Sequence, residues 1–103
     1  MLKPISDRAE VAVDFPEKLF IGSFSQSSAF EVKADAENVM LKLVRTKGGK
    51  RAIELHLHYF LLAQVVTEMA RELEEKGLPD EVHRRALRDA AGALQAAVAG
   101  PAA

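Results

Sequence analysis

Between Asn38 and Lys76 the spacing of apolar residues changes from every second position to every third or fourth, which leaves few folds open. Val39, Leu41 and Leu43 alternate with Met40, Lys42 and Val44. Ile53, Leu55, Leu57 and Tyr59 alternate with Glu54, His56 and His58. Gly48-Gly49 separates the two runs, and two glycines between alternating segments predict a β-hairpin. After Tyr59, Leu61, Val65, Met69 and Leu73 form an i, i+4 row, joined by Leu62 and Val66. That is one face of an amphipathic helix. Ile53 and Leu57 continue the row upstream, so a helix starting near Ile53 competes with the second strand. Matched alternation on both sides of the glycines favours the strand.

The register of this hairpin follows from keeping apolar residues on one face. A strict two-residue turn at Gly48-Gly49 would set Leu43 against Glu54 and Leu41 against His56. One more loop residue, with a glycine bulge, pairs Leu43 with Leu55 and Leu41 with Leu57 and keeps the faces separate. The expected sheet then has two unlike faces. Val39, Leu41, Leu43, Leu55 and Leu57 would receive the helix, and Met40, Val44, His56 and His58 would form the other side.

Upstream, three further strands are expected. Ala9, Val11, Val13 and Phe15 alternate with polar residues until Pro16. Lys18 to Phe24, carrying Leu19, Phe20, Ile21 and Phe24, is interrupted by Gly22, and Phe30, Val32 and Ala34 follow a serine-rich loop. Pro4 argues against regular structure in residues 1–8, which are read as a flexible arm. Downstream, Lys76-Gly77 ends the first helix, because glycine takes the left-handed cap and Pro79 blocks continuation. Pro79, Asp80 and Glu81 start a second, alanine-rich helix whose stripe is Val82, Ala86, Leu87, Ala90, Leu94, Ala97 and Val98. Gly100-Pro101 ends it, and residues 100–103 are expected to be flexible.

The predicted fold class is therefore α+β. An antiparallel β-meander of four to five strands (about 9–59) precedes a long amphipathic helix (about 60–76) and an alanine-rich helix (about 79–98). One domain is expected over residues 1–103, since the chain is too short for two.

Composition narrows the function classes. No cysteine is present, which excludes disulfides, thiolate metal sites and cysteine nucleophiles. Fifteen acids against fourteen bases give a net charge of −1, so nucleic acid would have to be met by a local patch. No apolar run approaches the roughly 20 residues of a membrane span, and Lys3 and Arg8 enclose no signal-like segment. The expected location is cytoplasmic, with no membrane partner.

Three side-chain groups are candidates for function. Arg45, Lys47, Lys50 and Arg51 surround Gly48-Gly49 and would place cations at a hairpin tip, where a phosphate backbone can lie. No aromatic residue stands next to them in sequence, so a stacking platform is not expected. Glu54, His56 and His58 share one strand face, and histidines two apart on a strand can share a metal ion. No further ligand spacing supports that, and neither a metal nor any other cofactor is expected. Arg84, Arg85 and Arg88 on the second helix face the expectation of antiparallel pairing with Glu68, Glu72, Glu74 and Glu75 on the first. Ser25, Ser27 and Ser28 have no neighbouring base, so no catalytic residue is assigned and the chain is read as non-enzymatic.

These residues point to a small self-associating interaction module, a homodimer joined through Met40, Val44, His56 and His58. The alternatives are a nucleic-acid-binding protein using the basic hairpin and a small metal- or ligand-binding protein.

Overall fold

A computed structural model describes residues 1–45 and 51–100. The class is α+β. Strands β1 (Lys3–Pro4), β2 (Ala9–Phe15), β3 (Lys18–Phe24), β4 (Ser28–Ala34), β5 (Asn38–Arg45) and β6 (Arg51–His58) precede helices α1 (Tyr59–Lys76) and α2 (Glu81–Ala99). The competition at Ile53 resolves as a strand, with the helix opening at Tyr59. The chain divides into two units, Met1–Gln64 and Val65–Ala103.

In the first unit, β1, β4, β5 and β6 form an antiparallel sheet in that order, while β2 and β3 pair as a separate hairpin. The arm expected to lack structure supplies β1. Lys3 and Pro4 pair with Phe30 and Ala29, and the Ile5 amide donates to the Ser28 carbonyl. Proline is tolerated there because an edge strand does not need its missing N–H. The Met1 ammonium lies 2.8 Å from Glu31, and chiefly for that reason the Glu31 carboxyl is held below its usual range.

Asp35 closes the β4–β5 turn. Its Oδ1 accepts from the Glu37 and Asn38 amides at 2.8 and 3.0 Å, and those bonds lower its pKa. Its carbonyl accepts a 2.6 Å bond from the Tyr59 hydroxyl, which ties the first residue of α1 to the turn.

The β5–β6 register corrects the expected one. Leu41 faces Leu55 and Leu43 faces Ile53, two residues away from the expected partners, with Arg45 opposite Arg51 at the end of the ladder. Apolar segregation survives any slip of two residues, so the pattern decides only which face a residue occupies. The length of the connection decides the rest. That connection, residues 46–50, lies outside the described residues.

Burial also departs from expectation. Phe24, Met40 and Val44 are the buried hydrophobic side chains among the described residues, and Ser28 is buried with them. Met40 and Val44 belong to the face expected to be the open one. On the opposite face, Val32 and Leu55 stay 55% and 50% exposed. Met40 lies in the middle of the sheet, paired with Lys33 on one side and His56 on the other. Long polar side chains lay their stems over shorter apolar neighbours, which pattern alone does not register. Phe24 and Ser28 mark the corner where the hairpin runs into the sheet. There the Ser28 amide donates to the Ser25 carbonyl, and its hydroxyl accepts from the Ser25 amide.

In the second unit, α1 stops at Gly77, whose φ of 76° lies in the left-handed region and whose amide donates to the Leu73 carbonyl at 2.8 Å. Asp80 caps α2 by accepting from the His83 amide at 2.9 Å. Arg71 pairs with Glu68, Lys76 with Glu72, and Arg84 and Arg88 with Glu81. Among the described residues these pairs run within each helix, not between helices as expected. Arg71–Glu68, Lys76–Glu72 and Arg84–Glu81 join i+3 or i+4 neighbours already within reach, and Arg88 reaches Glu81 from two turns away.

The Asp80 cap makes α2 sensitive to acid. The His83 amide, then the His83 ring, hold the Asp80 carboxyl below its usual range. A lowered folded pKa gives a contribution that is present above the ordinary Asp value of about 3.9 and is lost as pH falls through the depressed one. Far-UV circular dichroism is expected to show part of the helix signal disappearing in that acid window. Asp80→Ala should lower the helix signal at neutral pH and remove that part of the acid transition.

Candidate functional site

Two arginines meet where β5 and β6 end. Arg45 and Arg51 are direct cross-strand partners, so both project from the same face of the sheet. Like charges placed directly opposite each other destabilise a ladder, which makes this corner a place of concentrated positive charge. Arg45 Nη1 reaches the Ser23 carbonyl at 3.5 Å, linking the corner to β3. Lys47 and Lys50, the other members of the expected cluster, lie outside the described residues.

The expectation that no aromatic stands beside these cations is corrected. The Arg51 guanidinium lies 5.3 Å from the centre of the Phe20 ring, within the range of a cation–π contact. Phe20 and Arg51 are far apart in sequence, and only the fold of the β2–β3 hairpin against the sheet brings them together. Gly22 explains the ring's position. A Cβ at Gly22 would come within 2.8 Å of Phe20 Cζ, so the glycine that interrupts this strand leaves room for the ring.

Strand alternation arranges the rest of the hairpin. Phe15 pairs with Lys18, Val13 with Phe20 and Val11 with Gly22, so these residues share one face. The face runs from buried Phe24 to Phe15, which is 63% exposed. Val13, Phe15, Lys18 and Phe20 from the hairpin, with Arg51 and Ile53 from β6, line an open groove of about 430 Å³. Asp14 and Glu10 fall on the hairpin's other face.

No protein-family model, curated protein or solved structure matches the chain.

The histidine group is laid out differently from the basic corner. Glu54 and His56 approach to 3.4 Å, with both side chains about half exposed, and His58 is exposed further along β6. Among the described residues, no three His, Asp or Glu side chains are grouped to hold a metal ion. Of the expected interface residues, Met40 and Val44 are buried while His56 and His58 face solvent. No helix among the described residues is long and apolar enough to cross a membrane.

Sequence reasoning missed Phe15, Lys18 and Phe20 as companions of Arg51. Their own alternation was visible, since Phe15 and Lys18 flank the Pro16-Glu17 turn. Where the hairpin docks was not.

Proposed function

We propose that the chain is a small non-catalytic interaction module that associates with a second copy of itself through its helices. One observation carries this reading: neither helix contains a buried residue. In proteins most helix stability comes from packing an apolar face rather than from intrinsic propensity. Both helices have such a face. In α1, Tyr59, Leu62, Val66, Met69 and Leu73 follow alternating steps of three and four, the spacing of a coiled-coil seam. In α2, Leu87, Ala90, Leu94 and Ala97 do the same, and alanine allows close approach between helix axes. At about 100° per residue, the Arg71–Glu68 pair lies on the side of α1 away from Val66 and Leu73.

Charge favours unlike helices as partners. Glu72 and Glu74 flank the α1 seam, with Lys76 paired to Glu72, and Arg84 flanks the α2 seam, whereas Glu68, Glu75 and Arg85 lie away from the seams. Setting α1 of one copy against α2 of the other brings opposite net charges together, while like helices would repel. Edge strand β6 is a poor alternative for association, because Arg51, Glu54 and the two histidines discourage strand-to-strand pairing.

Sedimentation equilibrium tests the reading. A dimer mass at low micromolar concentration is expected. A monomer mass at high micromolar concentration rules it out.

A further inference from the structure

The groove between the β2–β3 hairpin and the start of β6 is distinct from the helix seams and uses none of their residues. We infer that it binds single-stranded nucleic acid, with a base stacked on Phe15 and a phosphate held between Lys18 and Arg51. The chemistry of the lining selects this occupant. Phe15 offers an exposed ring, and an exposed aromatic beside cations is the recurring platform for unpaired bases. Arg51 adds a second flat surface, because a guanidinium already lying over Phe20 presents its outer face and its N–H donors. Lys18, directly opposite Phe15 in the hairpin ladder, supplies a mobile point charge on the same side.

Two further features point to an anion. Arg45 stands directly across from Arg51 on the neighbouring strand, so a second cation borders the Arg51 end of the groove. Among the described residues no carboxylate lines the groove, since Asp14 and Glu10 are turned to the hairpin's other face. Glu17, in the turn between β2 and β3, borders the adjoining depression beyond Phe15 and Pro16 and limits the strand's path on that side. The bases of a duplex are stacked on one another and not available to Phe15, so the unpaired form is selected. An open groove suits a strand passing through, whereas a free nucleotide is generally held in an enclosed pocket.

The test is fluorescence anisotropy of a labelled twelve-nucleotide thymidine strand with the full chain at low salt. Saturable binding is expected, and Phe15→Ala should weaken it about tenfold, a typical loss for one stacked base. Phe15→Trp should restore it, a result that a purely structural role would not give. Lys18→Ala and Arg51→Ala should each reduce the dependence of log K on log salt by about one phosphate contact. Thymidine monophosphate should compete only weakly, and the same strand in a duplex should bind less tightly. Absence of an anisotropy change overturns the inference, as does binding that Phe15→Ala leaves intact. Competition by the mononucleotide at the affinity of the strand also overturns it. Phe15 is exposed, so its variants are expected to fold, and a binding failure would leave the mass measurement on the helices untouched.

Discussion

Phe24→Ala is expected to unfold the sheet unit, or to leave it only marginally folded. Phe24 is the large side chain most completely removed from solvent, at 1% exposure, in a chain that buries few others among the described residues. Truncating a buried phenylalanine typically costs about 3–5 kcal/mol through lost burial and the cavity left behind. Domains of this size have total stabilities near the lower end of about 5–15 kcal/mol. The loss is therefore comparable with the whole. It also falls at the corner where β3 passes into β4 and the hairpin is joined to the sheet. Urea denaturation followed by far-UV circular dichroism checks it, with Phe15→Ala as the internal comparison. Phe15 occupies the same face of the same hairpin but is exposed. Its truncation should shift the midpoint by less than a quarter as much. Equal shifts would mean that the corner around Phe24 is not the centre of the fold.

The contrast between these two phenylalanines also shows what a sequence can and cannot disclose. Apolar patterning marked every strand from Ala9 onward as well as the change of period at Tyr59, and alternation placed Phe15 on one face with Ala9, Val11 and Val13. These are local properties, set by the geometry of a pleated strand and of a helix turn. Gly77 and Asp80 were legible for the same reason, since a cap is written within a few residues of the element it ends. Burial was not legible, because it depends on what lies across from a residue. Met40 and Val44 look semi-exposed beside Lys42 and His56, yet they are buried. Leu55 looks like core, yet half of it meets solvent. The register failed by two residues for a related reason: hydrophobic pattern repeats with that period and cannot count loop residues. The groove was hidden most completely. Its halves, Phe20 and Arg51, meet only because a hairpin of its own sheet docks near the start of β6.

Met69→Glu combined with Leu94→Glu is expected to abolish self-association and much of the helix signal together. Both side chains lie in the apolar seams of their helices, and both are large hydrophobics left exposed in the single chain. Fully burying such a side chain is worth about 1.5–3 kcal/mol. Each is about half exposed in the single chain, so about half of that remains to be gained in a partner's seam. Every step of about 1.4 kcal/mol is tenfold in an equilibrium constant. Four such contacts are lost per dimer by symmetry, and a charge placed in the seam adds a desolvation cost. The dissociation constant should rise by about 10²–10⁴-fold, enough to make a low-micromolar dimer monomeric at micromolar concentration. The loss of helix should follow from the same change, because these helices have no buried face of their own to fall back on. Glu75→Gln and Arg85→Gln provide the comparison, since both residues lie on the far sides of their helices from the seams. Those variants should keep the dimer mass and the helix signal, with a changed salt dependence at most. If the double seam variant instead kept its dimer mass, the helices would not be the joining surface. If it became monomeric with its helix signal intact, the helices would owe their stability to something other than the partner copy.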